Sequence, residues 1–252
     1  MPAAKEGLLR VLQAHVGDLC RFAENRGIPR FTDFLDEAAA AAAESAARAQ
    51  GCPHLWYGGY EGASRRLLGL FPTGQEPEEG LFPIAALRTK MPKGDTLTHR
   101  DFLGAALALG IKREVVGDIL ITEESAILFA LPQAGELIRR DLSRVGRAGV
   151  CFEPVALGDI SYTQRFVEAE KSVSSLRLDC VVSALSCCSR GEAAGKIALG
   201  LVSVDGLAET KGTRKLSGGE RIAIRGEGKF LIASDGRMTR KGRQLIQIKR
   251  FV

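Results

Sequence analysis

One stretch in the C-terminal third, residues 175–206, most constrains how this chain can fold. Its first half places apolar residues at the spacing of one helix face, at Leu178, Val181, Val182 and Leu185. A second helix is predicted to begin at Ser189, whose side chain can cap it, and to end at Gly200. The alternating residues 201–204 then predict a strand that turns at Asp205-Gly206. We therefore expect two small helices that lead into a small sheet.

Positive charge is concentrated in the same part of the chain. Residues 171–252 contain 16 Lys and Arg against 7 Asp and Glu, whereas residues 1–170 contain 19 against 23. The balances are +9 and −4, so the polarity is that of a phosphate-binding module joined to an ordinary globular body. A solvated basic tail is a weaker interpretation, because the charges are interleaved with apolar residues typical of strands.

Composition predicts a soluble, cytoplasmic protein with no cofactor and no metal site. Apolar residues make up 45% of the chain and charged residues 26%, as in ordinary globular proteins. The six cysteines include no C-x-x-C pair, and Cys52-Pro53-His54 offers too few ligands for zinc. We expect neither a secretory signal nor a membrane span, because no apolar run is long enough.

Residues 1–75 are predicted to form a domain rich in α-helix. Apolar periodicity indicates a helix over residues 4–25, and an alanine-rich helix is expected over residues 37–50. Gly58 to Gly62, with Arg65 and Arg66 beside them, suggest either a phosphate cradle or a glycine-rich turn from a strand to a helix. The turn is favoured, since the spacing matches neither of the common phosphate-binding loops. For Trp56, Tyr57 and Tyr60, partial burial is favoured over base stacking.

Residues 80–158 are predicted to form a ferredoxin-like, RRM-like domain with the order β-α-β-β-α-β. The four strands are expected at residues 82–87, 117–121, 126–130 and 149–155, and the two helices at residues 98–109 and 132–145. RNA readout on the sheet of such a domain needs exposed aromatic residues on the central strands. Phe82 and Phe129 are the candidates, so RNA binding by the sheet face is not supported.

Short motifs that could carry chemistry lack the partners that the chemistry needs. His99-Arg100-Asp101 occurs in kinases, but Ala106 replaces the metal-binding Asn and no glycine-rich loop is present. Leu216-Ser217-Gly218-Gly219-Glu220 has the letters of an ABC-type ATPase signature without a P-loop, and a Gly-Gly turn explains it better. His99, Arg100 and Asp101 remain a possible secondary site, either a helix-start cluster that pairs internally or a dock for RNA phosphate.

The C-terminal pattern resembles the S4 RNA-binding domain. The resemblance is carried by Arg177-Leu178-Asp179, Ser189-Arg190-x-x-Ala193, Ile197-x-x-Gly200-x-Val202-x-Val204-Asp205-Gly206 and Gly219-Glu220-x-Ile222. Asp205 stands where the family usually has Asn, and Glu220 where Asp is common, and both substitutions keep the character of the position. The resemblance places an S4 domain at residues 172–252, in a chain whose fold class is α+β. Pseudouridine synthases also use Arg-Leu-Asp, but within a large catalytic domain. Asp179 is therefore expected to cap its helix or to pair with a basic side chain.

The whole chain resembles the YlmH family of bacterial S4 proteins. Further motifs carry this resemblance, namely Phe31-Thr32-Asp33-Phe34-Leu35-Asp36, Gly58-Gly59-Tyr60, His99-Arg100-Asp101-Phe102-Leu103-Gly104, Leu109-Gly110-Ile111-Lys112-Arg113-Glu114 and Gly117-Asp118-Ile119. The resemblance implies a non-catalytic protein that binds rRNA or tRNA and acts on the large ribosomal subunit during rescue of stalled translation. Neither DNA nor a membrane is an expected partner. Two alternatives stay open: an RNA-modifying enzyme that uses S4 to deliver its substrate, and an adaptor for a division or translation partner.

Basic residues of the predicted S4 domain are the candidate RNA-binding site. Arg177, Ser189, Arg190 and Lys196 are expected to present one basic helical face, and Arg190 follows the family motif directly. The loop and the C-terminal strands would extend that face through Lys211, Arg214, Lys215, Arg225, Lys229, Arg240, Lys241 and Arg243. Each Lys or Arg that neutralises a phosphate releases counterions, so RNA binding should weaken steeply as the salt concentration rises. Arg190→Glu with Lys196→Glu is predicted to abolish RNA binding and to leave thermal unfolding nearly unchanged.

Overall fold

The computed structural model describes residues 2–92, 96–162, 166–234, 236–240 and 242–251 and divides into two compact units, residues 1–162 and 163–252. The first unit contains α1 (Pro2–Arg26), β1 (Arg30–Phe31), α2 (Glu37–Ala49), β2 (His54–Tyr57), β3 (Leu67–Leu70), β4 (Ala85–Lys90), α3 (His99–Ala108), β5 (Val116–Ile121), β6 (Ser125–Ala130), α4 (Pro132–Asp141), β7 (Arg144–Val145), β8 (Ala148–Gly149) and β9 (Glu153–Val155). The second contains β10 (Phe166–Val173), α5 (Leu178–Leu185), α6 (Arg190–Ala198), β11 (Val202–Val204), β12 (Leu207–Ala208), β13 (Arg221–Ile224), β14 (Gly228–Ala233) and β15 (Gln244–Phe251). None of the helices built from these residues has the length and apolarity that crossing a membrane requires.

The first 75 residues pack two helices on a small antiparallel sheet. The strands lie in the order β1-β3-β2, and α1 contacts α2. Asp36 begins α2 by accepting a hydrogen bond from the Ala39 N–H at 2.9 Å. Small side chains such as Ala43 and Ala47 are buried against Val16 of α1. The alanine run is therefore explained by helix formation and by the close approach of two helices.

The middle sheet is buried on both faces. Its antiparallel strands lie in the order β5-β6-β4-β9. Ala126 and Leu128 of β6 pack in the cluster that contains Phe102 of α3, whereas Ile127 and Phe129 face the other way. That second face is covered by aromatic residues from the first 75 positions, Phe34, Tyr60 and Phe71. Because both faces are buried, β6 is apolar at successive positions instead of alternating.

Several predicted boundaries in this region were wrong. Phe82 precedes its strand, since residues 79–81 form a 3-10 turn and the Phe82 ring packs among Phe31, Tyr57 and Phe71. The second helix ends at Asp141 instead of residue 145, because Arg144 and Val145 pair with Ala148 and Gly149 in a hairpin. The last strand is correspondingly short, β9. The elements nonetheless follow the order β-α-β-β-α-β with that hairpin inserted.

The C-terminal unit is a six-stranded antiparallel sheet with two short helices. The strands lie in the order β10-β15-β14-β13-β11-β12. Leu178, Val181 and Ile197 of the helices are buried with strand residues such as Ile222 and Ile246. Both predicted helices and the strand after them are confirmed, as is the turn at Asp205-Gly206, where both residues have positive φ. The three-domain division stays a prediction, because the structure groups residues 1–162 together.

Candidate nucleic-acid interface

A buried carboxylate joins two arginines at the start of α5. Asp179 has only 5% of its surface exposed. Arg177 donates from Nε and Nη2 to the two carboxylate oxygens at 3.2 and 2.9 Å. Arg190, the first residue of α6, donates from Nε and Nη2 to Oδ2 at 3.0 and 2.9 Å. The two predicted RNA-binding arginines thus lie side by side, and Asp179 pairs with basic side chains as the sequence suggested.

The loop that contains Lys211, Arg214 and Lys215 is fixed to the start of α5 by backbone hydrogen bonds. The N–H of Leu178 donates to Arg214 O at 2.8 Å, and the N–H of Asp179 donates to Gly212 O at 3.0 Å. A side chain at Gly212 would place its Cβ 3.3 Å from the Asp179 Cβ, so glycine permits this close approach. Lys211, Arg214 and Lys215 are therefore held beside the arginine pair. Arg214 also donates to Glu209 at 3.1 Å, while Lys211 and Lys215 are exposed.

The electrostatics keep Asp179 ionised. Burial alone would raise the pKa of this carboxyl, but the hydrogen bonds from Arg177 and Arg190 outweigh it and lower the pKa to about 2. A carboxylate that is ionised at neutral pH and saturated by guanidinium donors is poorly placed to act as a general base or a nucleophile. One negative charge against two positive charges leaves the cluster net positive.

A pocket of about 340 Å³ borders Arg190 and gathers two more cations. Arg190, Arg243 and Lys171 line it together with the hydroxyl-bearing residues Ser172, Ser174 and Ser183. Arg243 donates to Ser172 O at 2.8 Å, and the Lys171 ammonium donates to Ala184 O at 2.6 Å. Sequence reasoning missed Lys171, because it lies in a strand outside the S4 pattern and only the pairing of β10 with β15 brings it here.

Other predicted binding residues lie elsewhere or have structural roles. Ser189 caps α6 in a capping box with Glu192, which receives the Ser189 N–H at 2.8 Å. Lys196 forms an ion pair with Glu227 in the turn between β13 and β14. The remaining predicted bases are exposed near that turn, at Arg225 and Lys229, or near the C-terminus, at Arg240, and Lys241 lies outside the described residues. The predicted Lys and Arg residues thus form one group at the helix starts and another at this turn, with Arg240 apart near the C-terminus.

The His99-Arg100-Asp101 cluster begins α3. Asp101 accepts hydrogen bonds from the backbone N–H and the hydroxyl of Thr98, both at 2.7 Å. These bonds lower the pKa of the Asp101 carboxyl. The acidic member of the cluster is therefore occupied by a helix cap, whereas His99 and Arg100 are exposed. In the described ranges, which omit residues 93–95, 163–165 and a few single positions, no group of His, Cys, Asp and Glu could hold a metal ion.

The glycine-rich loop of the first unit is a structural junction. It connects two strands, β2 and β3, so the predicted turn into a helix was wrong. A Cβ at Gly59 would lie 2.6 Å from the Phe129 ring, which shows that the loop packs against the middle sheet. Asp118 accepts hydrogen bonds from the Tyr60 hydroxyl at 2.9 Å and from the Ser64 N–H at 2.6 Å. These contacts support the structural interpretation over a phosphate cradle.

The aromatic and basic side chains around this loop are used for packing. The Arg65 guanidinium donates to the carbonyl oxygens of Phe34 at 2.6 Å and Val116 at 3.1 Å, and its burial lowers its pKa. Trp56 is half-buried and donates to Glu44 at 2.6 Å. Phe82 and Phe129 are buried, so neither is available for base stacking on the sheet.

Three comparisons relate this chain to known proteins. Residues 77–159 match the family model described as "Putative RNA-binding domain in YlmH". The chain is 29% identical over 223 residues to the Ribosome-associated protein quality control protein P2 of Bacillus subtilis, and the match covers 88% of this chain and 87% of the relative. A solved structure, the cell division protein ylmH from Streptococcus pneumoniae, is 25% identical with a TM-score of 0.51, covering 60% of this chain and 92% of that chain. The resemblance to YlmH proteins that the sequence motifs indicate is confirmed by all three comparisons.

Proposed function

We propose that this chain is a non-catalytic RNA-binding protein whose C-terminal unit is an S4 domain. The observation that carries the proposal is the pair of arginines fixed by one buried carboxylate beside a loop of lysines. Asp179 engages one edge of each guanidinium, and a guanidinium has five N–H donors, so further donors remain for phosphate oxygens. Arginines that are already ordered lose less side-chain entropy when RNA binds.

The proposed target is the large ribosomal subunit, carrying tRNA, in quality control of stalled translation. The name of the Bacillus subtilis relative supports the ribosome as the setting. The family description supports RNA binding for the middle region as well, and the strand order β5-β6-β4-β9 supports a ferredoxin-like domain there. An RNA-modifying enzyme is not favoured, because Asp179, the buried acidic residue of the basic cluster, is held by two arginines. A ribosomal target also places the protein in the cytoplasm.

The structure changes the choice of test variants. Arg190→Glu would place a carboxylate against Asp179, and Lys196→Glu would place one against Glu227, so both substitutions should also reduce stability. Lys211 and Lys215 are better targets, because both side chains are exposed and no hydrogen bond or ion pair joins either side chain to a described residue. Their replacement removes charge from the loop without breaking an ion pair.

Lys211→Gln with Lys215→Gln should weaken binding to purified Bacillus subtilis large ribosomal subunits by about tenfold and lower the slope of log affinity against log salt by about 2. The matched control is Arg237→Gln with Lys249→Gln, which removes the same charge from residues that pair with Glu170 and Glu168 of β10. Co-sedimentation would be measured across salt concentrations, with and without bound tRNA. Equal affinity of the two variants would refute the proposed RNA-binding surface, and indifference to tRNA would refute the tRNA part.

A further inference from the structure

We propose a second RNA-contacting surface on the first unit, formed by Arg100, Arg144 and Arg147 and called here the hairpin surface. Arg100 lies in the first turn of α3, and the other two arginines belong to the hairpin of β7 and β8. All three side chains are exposed. The proposal rests on the RNA binding proposed above for the middle region and deepens it, because it names the residues of that region that contact RNA.

Packing of the hairpin brings these residues to one place. Val145 and Ala148 pair across the hairpin and are buried, so the hairpin is anchored by its apolar side. Val145 belongs to the same cluster as Leu97 and Phe102, at the start of α3, and α3 contacts β7. The turn residue Gly146 also approaches Leu97, since a Cβ there would lie 3.7 Å from the Leu97 side chain. The exposed arginines of the hairpin are thereby held beside the first turn of α3.

The arginines of the hairpin surface have no ion-pair partner among the described residues, unlike several others in this unit. Arg48, Arg139 and Arg140 each pair with a nearby carboxylate, and Arg65 is satisfied by carbonyl oxygens. Among the described residues no carboxylate pairs with Arg100, Arg144 or Arg147. The Arg144 guanidinium instead donates a hydrogen bond to the backbone carbonyl oxygen of Arg147 at 3.4 Å.

The acids closest in sequence to these arginines, Asp101 and Asp141, are already occupied. Asp101 caps its own helix through Thr98, and Asp141 accepts two hydrogen bonds from Arg140, at 2.7 and 2.8 Å. The surface therefore keeps its positive charge, although residues 1–170 as a whole carry a balance of −4. Such local positive charge is what a phosphate backbone requires.

The chemistry of the surface favours RNA phosphates over a protein partner. Protein interfaces are centred on apolar or aromatic residues, and none of the large apolar side chains exposed in the described ranges lies within residues 96–101 or 143–149. The sheet face that an RRM uses is covered by Phe34, Tyr60 and Phe71. An RNA contact of residues 77–159 must therefore use the helices, the loops or the hairpin. The hairpin surface is the place where unpaired arginines of these elements lie together.

The test compares Arg100→Gln, Arg144→Gln and Arg147→Gln, combined in the full-length chain, with a matched triple control. The control, Arg48→Gln with Arg139→Gln and Arg140→Gln, removes the same charge from paired arginines of the same unit. The probe is protein-free RNA of the Bacillus subtilis large ribosomal subunit, and filter binding is measured across salt concentrations. We expect the hairpin variant to lose about tenfold in affinity and to lower the salt slope by about 2 to 3, with the control near wild type.

Each outcome decides the proposal separately from the function of the C-terminal unit. Both triple variants would also be made on the Lys211→Gln, Lys215→Gln background, where the effect of the hairpin surface should persist. Ultraviolet crosslinks of the wild type to RNA should include peptides that span residues 96–104 or 143–149. Equal affinity of the hairpin variant and its control would overturn the proposal, as would crosslinks confined to residues 163–252. Unchanged RNA affinity with loss of a ribosomal protein partner would overturn it in favour of a protein-binding surface.

Discussion

Asp179→Asn separates the structural and electrostatic roles of the buried carboxylate. Asparagine has nearly the same shape but removes the charge and presents N–H donors to the donors of Arg177 and Arg190. The pKa of Asp179 is lowered from 3.8 to about 2, which corresponds to about 2 kcal/mol of stability at neutral pH. Both arginines are partly exposed and can regain water, so the loss should not reach the roughly 3–5 kcal/mol of a fully buried broken pair.

The pH dependence follows from the direction of the shift. Because the folded-state pKa is depressed, the stabilisation is complete above the unfolded pKa near 3.8 and is lost as pH falls toward 2. The difference in free energy of unfolding between wild type and Asp179→Asn should therefore be constant between about pH 6 and 8. At about pH 3 it should fall to about 1 kcal/mol, because the unfolded carboxyl is by then mostly protonated.

Urea unfolding followed by circular dichroism at pH 7 and pH 3 measures both quantities. Asp18→Asn is the control, because Asp18 pairs with Arg21 on the exposed side of α1 and its loss should cost less than about 0.5 kcal/mol. In RNA binding, Asp179→Asn should weaken affinity although it removes a negative charge, since the arginines lose their fixed orientation. A stability loss that is equal at both pH values, or an affinity that rises, would refute the positioning role.

Two further predictions concern the junction between the glycine-rich loop and the middle sheet, and urea unfolding followed by Trp56 fluorescence measures both. Gly59→Ala should destabilise by about 3 kcal/mol, because φ is +96° and the new Cβ would lie 2.6 Å from Phe129; Gly62→Ala, with a φ of +86° but open space around it, should cost about 1 kcal/mol. Asp118→Ala should cost about 3 kcal/mol, because the Tyr60 hydroxyl and the backbone N–H groups of Ser64 and Arg65 lose their acceptor. Equal costs for the two glycines, or a cost below about 1 kcal/mol for Asp118→Ala, would contradict the tight packing of the junction.

Elements whose signals are local could be predicted from the sequence. The helix over residues 190–198 has its capping residue, its apolar face and its terminal glycine within twelve positions, and the structure has it where predicted. The alanine-rich helix behaves likewise, with Asp36 as its cap. Local signals failed where tertiary packing decides. Phe82 has the character of a strand residue, yet its ring is drawn into an aromatic cluster with Phe31 and Tyr57 before the strand begins.

The candidate site was predictable in composition but not in pairing. The S4 pattern brought attention to Arg177 and Arg190, and the structure places them together. Three features depend on contacts between distant positions. One buried carboxylate binds both arginines, Glu227 forms an ion pair with Lys196, and Lys171 lines a pocket with Arg243. A single sequence carries no direct signal for such contacts, because the partner of a charge is chosen by strand pairing and loop docking.

Net charge and available charge are therefore different quantities in this chain. The C-terminal unit has many Lys and Arg residues, but Lys196, Arg237 and Lys249 are each paired with a glutamate. Its positive net charge therefore overstates the positive charge that is free to bind phosphate. The first unit has a negative balance, but some of its acids are engaged as caps and ion pairs, for example Asp101 and Asp141. A binding surface follows from which bases remain unpaired or are held in a fixed orientation, and that depends on the fold more than on the count.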